Sequence, residues 1–192
     1  MYSTIRPATL LLVFFTLLVG FAYPLAVTGM AQILLPEKAN GSLVVKNGAV
    51  IGSSLIGQSF ASAGYFQPRP SAAGQSGYDA AASSGSNLGP LSVKLNERMA
   101  ASLSILKQEN PATVPADAVA ASGSGLDPHI SVDNARRQVA RVAAARGVPD
   151  AQVRSIVDRS AELPFAGLVG EPRINVLRLN LAIDAEFGKK SG

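Results

Sequence analysis

The chain has 192 residues, a net charge of +4, no cysteine, no tryptophan and one histidine. Without cysteine it can hold neither a disulfide framework nor a thiolate metal site, and without a run of like charges it lacks the concentrated basic patch that nucleic acid binding requires. Its length suits one compact domain of ordinary size plus an appendage.

No charged residue lies between Pro7 and Pro36. The apolar part, Ala8 to Leu35, exceeds the about 20 residues that cross a bilayer core as a helix, so it can tilt or reach past the headgroups. A single span must satisfy its own backbone, which leaves helix as the only choice. Gly20 and Pro24 lie inside it. Pro24 lacks a donor and clashes with the preceding turn, which predicts a kink over residues 20–24. Tyr23 in mid-span points to a protein-facing side, because a buried phenol wants a partner. A cleaved signal peptide is the alternative reading, with Gly29-Met30-Ala31 as its small-x-small site. Against it, the apolar run is about twice a usual h-region and continues through Ile33, Leu34 and Leu35. Arg6 precedes the span, whereas Glu37 and Lys38 cancel after it. Flanking charge therefore favours residues 1–7 in the cytoplasm, a single-pass span over 8–35 and residues 36–192 outside.

After the span, Leu43-Val44-Val45 and Ala49-Val50-Ile51 flank Asn47-Gly48. Asn-Gly between β-branched residues predicts a hairpin, because both turn residues must reach positive φ. A second extended stretch is expected over Ser54 to Phe60. Residues 61–90 lose all periodicity: Pro68 and Pro70 hold Gln67 and Arg69 extended, and the Gly/Ser content that follows suits a linker. Tyr65, Phe66, Tyr78 and Asn87 do not suit one, and long loops with aromatics at their ends are more often functional or ordered by a partner. Arg69 between two prolines reads equally as an exposed partner anchor and as a surface charge on a stiff loop.

Leu91, Leu95, Met99, Leu103 and Leu106 form one stripe at helical spacing, predicting a helix over Leu91–Glu109 that starts at Pro90, ends before Pro111 and contributes ordinary core. A short strand is expected at Ala118–Ala121. Ser131 is an N-cap residue with Asp133 close behind, and Arg146-Gly147 is a C-terminal signal. The helix between them should bury Ala135, Val139, Val142 and Ala143, with Arg136, Arg137 and Arg141 elsewhere on the cylinder. A short helix over Asp150–Ser160 should bury Val153, Ile156 and Val157. Arg173–Val176 reads as a strand, and Leu177, Leu181 and Ala185 favour a final helix. Interleaved strands and helices predict a compact α/β (α+β) domain with a small sheet.

The stretch "ASGSGLDPHIS", residues 121–131, holds the lone histidine, His129, beside Asp127, Ser122 and Ser124. Asp, His and Ser in one loop suggest a membrane-anchored hydrolase using Ser124 and His129. Triad members must aim at one another, however, and neighbours on a tight turn point apart. The G-x-S-x-G elbow is also truncated, with Ala121 where a glycine belongs. The plainer expectation is a loop leading into a helix, with Asp127 accepting backbone N–H bonds. No phosphate-binding glycine motif is present, no EF-hand loop is present, and one histidine without cysteine leaves only hard oxygen metal sites.

Six blocks in order, "GSSLIGQSF" (52–60), "YFQPRPSA" (65–72), "SSGSNLGP" (83–90), "ASGSGLDPHIS" (121–131), "ARRQVARVAAARG" (135–147) and "GEPRINVLRLNLAID" (170–184), carry a resemblance to the KdpC family, the C subunit of the Kdp potassium-transporting P-type ATPase. It covers nearly the whole chain. The resemblance implies a single-pass subunit of the bacterial inner membrane with a periplasmic domain. It also implies a channel-like potassium-binding subunit, a catalytic P-type subunit and a small single-span subunit as partners. The family is described as a catalytic chaperone that raises the ATP affinity of the catalytic subunit. With residues 36–192 outside the cell, that effect must be indirect. The expectation is therefore an accessory subunit with no cofactor of its own, ATP and potassium being handled by the complex. Tyr23, Gln58, Tyr65, Arg69, Asn87, Asp127, His129, Arg173 and Asn175 are its candidate partner-contact or fold-fixing residues, with Gly20 and Gly29 letting the span pack closely.

Overall fold

The computed structural model describes residues 2–164 and 170–189; residues 165–169 and 190–192 of the expected outer domain lie outside that set. The chain divides into two compact units, residues 1–51 and 52–192.

The first unit is dominated by one helical rod, Ser3–Leu34, with a mean hydropathy of 2.4 over its most apolar stretch. A helix apolar all round and not covered by its own chain is suited to lipid. It consists of α1 (Tyr2–Leu17), a π-helical turn (Leu18–Ala22) and α2 (Tyr23–Leu34). Where the kink is expected, the hydrogen-bonding pattern changes. Pro24 has no N–H to give to Gly20, and the Tyr23 N–H instead reaches back five residues to the Leu18 carbonyl. Leu35 leaves helical geometry at φ −141° because the residue before a proline is excluded from it. Pro36 then opens the short helix α3 (Pro36–Ala39). The side-chain amides of Gln32 and Asn40 exchange hydrogen bonds of 3.3 and 3.1 Å across this corner. Strands β1 (Leu43–Lys46) and β2 (Ala49–Ser53) pair as a hairpin. Asn47 (φ 54°) and Gly48 (φ 78°) make its turn, the left-handed pair that a two-residue hairpin demands.

The second unit is built on α5 (Val132–Arg146), α6 (Asp150–Arg159) and α7 (Val176–Phe187), with strands β3 (His129–Ser131) and β4 (Arg173–Asn175) between them. The strands run antiparallel, with Ile130 opposite Ile174. Ser131 caps α5 by accepting from the Asn134 N–H at 3.0 Å, and Gly147 ends it at φ 70°. The core holds Ile130, Ala135, Val139, Val142, Ala143, Val153, Ile156, Val157, Ile174, Val176, Leu179 and Ile183, joined by Phe66.

Three expectations need correction. Residues 54–60 are a turn followed by irregular chain rather than a second strand. Residues 116–118 form a 3-10 turn, with no strand at 118–121. The final helix forms as expected, with Val176, Leu177, Leu179, Asn180 and Ile183 buried and Ala185 exposed. The helix α4 (Val93–Glu109) forms, capped by Ser92 instead of starting at Pro90, but it contributes no buried residue, and Leu91 is 93% exposed. Periodicity finds a stripe; it does not say whether anything covers it.

Candidate functional site

The irregular stretch 54–90 is a strap tied across the second unit, and most of the candidate residues serve as its ties. The knots are side-chain amides standing in for a missing strand. Asn180, 2% exposed in the buried face of α7, accepts from the Phe66 N–H at 2.8 Å and donates to the Phe66 carbonyl at 2.9 Å. Gln138 on α5 treats Gln67 the same way, at 2.8 and 3.1 Å. The amide of Asn175 donates to the Ser54 carbonyl at 2.8 Å while its oxygen caps α7 through the Arg178 N–H at 3.1 Å. An irregular segment that is buried must find partners for each backbone group, and these three amides supply them.

Guanidinium groups hold the next turn of the strap. Arg141 donates to the Ala63 and Tyr65 carbonyls at 2.7 and 3.0 Å. Burial lowers its pKa, against the stabilising charge of Glu109. The Tyr65 hydroxyl donates to Asp184 at 3.0 Å. Arg146 pairs with Asp184 at 2.9 Å, both almost fully buried, and lies 4.7 Å over the Tyr65 ring. The Tyr65 pKa is raised, first by burial and then by the Asp184 hydrogen bond.

The histidine turn is the second anchor. Arg69 Nη1 stands 3.0 Å from Asp127 Oδ2 and the guanidinium also reaches the Ala120 carbonyl at 3.4 Å. Asp127 accepts from the His129 backbone N–H at 3.0 Å, and its other close neighbour is His129 Nδ1 at 3.4 Å. The pKa of Asp127 is lowered chiefly by its hydrogen bond to the His129 side chain, with Arg69 adding a smaller effect. His129 Nε2 faces Glu162 at 3.8 Å, and Glu162 in turn meets Arg173 at 3.3 Å and Arg178 at 3.9 Å. Arg69, Asp127, His129 and Arg173 of this run of contacts edge a cavity of about 640 Å³ that Asp117, Asp133 and Glu171 also line.

Further along, Ser71 donates to the Gly125 carbonyl at 2.6 Å and accepts from the Tyr78 N–H at 2.8 Å. Tyr78 gives its hydroxyl proton to the Arg69 carbonyl, and burial pushes its pKa up to about 12. Ser84 N–H bonds the Ser124 carbonyl at 3.0 Å. The chains approach so closely that a Cβ on Gly57 would lie 2.8 Å from the Asp127 carbonyl oxygen, and one on Gly125 would run into Ala73 N at 2.7 Å.

Of the expected residues, the structure brings Arg69, Asp127, His129 and Arg173 into one run of side-chain contacts, the last by way of Glu162, and puts Tyr65 and Asn175 on the other ties. Gln58 lies on the same strap, its amide filling the space where a Gly52 side chain would go. Asn87 is exposed with φ 51° and joins none of these networks among the described residues. Tyr23 lies in the first unit, 63% exposed. Sequence reading overlooked Asn180, Gln138, Arg141, Arg146, Glu162 and Asp184, and it left Arg137 outside the buried face although its side chain is 3% exposed. One signal was present: Asn180 interrupts the apolar run Leu177, Leu179, Leu181 and Ile183, and a buried amide in such a place needs a dedicated partner.

The triad geometry does not form. Ser124 Oγ accepts from the Leu126 N–H at 3.1 Å and lies 3.5 Å from Ser122 Oγ. The two ring nitrogens of His129 face carboxylates, so among the described residues no hydrogen bond links Ser124 to His129.

A family model described as "KdpC: K+-transporting ATPase, c chain" matches residues 5–185. A protein of Myxococcus xanthus named "Potassium-transporting ATPase KdpC subunit" is 57% identical over 98% of this chain and 90% of its own. Proteins of the same name are 54% identical in Caulobacter vibrioides (strain NA1000 / CB15N), covering 97% of this chain and 95% of theirs, and in Nitratidesulfovibrio vulgaris, covering 100% and 98%.

Proposed function

The chain belongs to the KdpC family, the c chain of a K+-transporting ATPase, and from that premise we propose that it works as a scaffold within the complex and performs no chemistry of its own. It is an accessory membrane subunit of a potassium transport complex. In this reading Ser3–Leu34 is its bilayer anchor, packed against other subunits through Gly20, Tyr23 and Gly29. The second unit stands on the outer face of the inner membrane beside the potassium-binding subunit. It stabilises assembly and shapes potassium access. Any effect on the ATP affinity of the catalytic subunit travels through packing in the membrane, since a domain on the outer face never meets cytoplasmic nucleotide.

One observation carries this reading. The groups of the histidine turn best suited to chemistry already hold backbone or opposite charge: Asp127 holds Arg69 and the His129 N–H, and both nitrogens of His129 face carboxylates. Asp127 and His129 border a cavity, but no nucleophile stands with them: Ser124 Oγ accepts from the Leu126 N–H, and among the described residues no hydrogen bond links it to His129. Reconstitution tests it. A complex lacking this chain should regain potassium-dependent ATP hydrolysis when the full chain is added, and the Ser124→Ala variant should restore it equally. Failure of Ser124→Ala in an assembled complex overturns the reading.

A further inference from the structure

We propose that α4 is a flap, hinged at its C-terminal end and free at its N-terminal end, that opens and closes over a cavity in the second unit. Among the described residues, every hydrogen bond and ion pair between α4 with its caps and α5 falls within residues 106–110. Arg137 donates to the Leu106 carbonyl and pairs with Glu109 at 3.5 Å. Arg141 meets Glu109 at 2.7 Å. Asn110, the C-cap, donates to the Arg137 carbonyl at 2.9 Å. Residues 91–105 have no tie to α5; Ser92 N–H bonds only the neighbouring Gly89 carbonyl, at 3.0 Å. No residue of α4 is buried, and Leu91, Val93 and Ile105 are 93%, 69% and 65% exposed.

Under the helix is a cavity of about 360 Å³. Ser102, Ile105 and Leu106 of α4 form one wall, and Gln67, Pro68, Pro70 and Tyr78 of the strap are among those forming the other. Tight docking would fill this space and bury the stripe Leu95, Met99, Leu103; here it stays half-buried.

The closed position also carries a specific penalty. The Nε atoms of Arg98, on α4, and Arg137, on α5, are both buried without a hydrogen-bond partner. A buried donor without an acceptor loses its hydration and gains nothing in return. Swinging the N-terminal half of α4 outward rehydrates Arg98 Nε and breaks no hydrogen bond to the body. Low apolar burial, ties confined to one end and an unmet donor beneath the free end mark a segment whose opening free energy is far below that of global unfolding. Once open, the free part of the helix, residues 93–105, is too short to hold itself in water without packing, so it frays.

Hydrogen–deuterium exchange on the full chain in nanodiscs tests this. Amides of residues 95–104 should exchange on the order of 100-fold faster than those of 139–143 in α5. The Arg98→Met variant removes the orphan donor and should slow α4 exchange roughly tenfold. Glu109→Gln loosens the hinge and should speed it, with α5 unchanged in both variants. Equal protection of α4 and α5 in the wild type overturns the proposal, as does any variant that shifts α4 and α5 together, which would show that they open as one unit.

Discussion

The Asn180 side-chain amide closes a two-way hydrogen bond on the backbone of Phe66, accepting its N–H at 2.8 Å and donating to its carbonyl at 2.9 Å. The two residues are 114 positions apart. Phe66 is completely buried in the core of the second unit. The pair thus sets where an irregular strap enters a packed interior.

Replacing Asn180 by leucine leaves the buried N–H and carbonyl of Phe66 without partners. At about 1–3 kcal/mol for each of the two unmet groups, the loss is about 2–6 kcal/mol in chemical denaturation of the full chain. Asn180→Asp puts a buried carboxylate against the Phe66 carbonyl oxygen and should cost at least as much as leucine at neutral pH, recovering in acid as the protonated carboxyl becomes a donor. Phe66→Ala should cost about 3–5 kcal/mol by cavity formation.

Asp127 governs part of the acid stability. Its pKa is lowered in the folded state, first by the His129 side-chain hydrogen bond. Its ionised form therefore favours the fold. That contribution is full above the unfolded carboxylate value of about 3.9, and it disappears as pH falls through the lower folded value. Asp127→Asn should flatten the acid limb of the stability curve below about pH 4, read by circular dichroism across an acid titration. His129→Gln removes the main cause of the shift, and loss of structure should begin at a higher pH than in wild type.

Gly57 tolerates no side chain. A Cβ there would press to 2.8 Å on the Asp127 carbonyl oxygen, a backbone atom with no room to yield. Gly57→Ala should lower stability by about 1–3 kcal/mol, whereas Gly123→Ala, with nothing within 4 Å, should stay within about 0.5 kcal/mol. Thermal denaturation of the two variants separates local crowding from a general effect of glycine replacement.

Pro24 causes the π turn in the span. Pro24→Ala restores a donor at that position and should return residues 18–22 to α-helical hydrogen bonding. The half of the span before the turn then rotates by about 100°, one residue of helix, relative to the half after it. Oriented-sample NMR of the labelled chain reads this as a single continuous helical wheel. If Tyr23 and Gly29 seat the span among other subunits, the variant should also assemble less well.

What the sequence disclosed follows the range of the causes involved. The Asn47-Gly48 turn, the Ser131 cap and the Gly147 stop are set by neighbouring residues and were readable as such. The apolar faces of α5 and α6 were readable because both faces truly are covered. The stripe of α4 has the same spacing and is left half-exposed, and no local pattern separates those cases. In the sequence the strap reads only as an aperiodic loop, because its order comes from Asn180, Gln138, Asn175, Arg141 and Arg146, residues 71 to 121 positions away for the amide ties. Arg137 was placed outside the buried face for the same reason: its partners, Leu106 and Glu109, arrive from another helix.

The central claim, a scaffold standing on the outer face of the membrane, is tested most directly by thiol labelling. Lys107 is exposed on α4, and the native chain has no cysteine. In intact cells carrying Lys107→Cys in the assembled complex, a membrane-impermeant maleimide should label the chain without permeabilisation. Labelling that appears only after the inner membrane is opened would contradict the account.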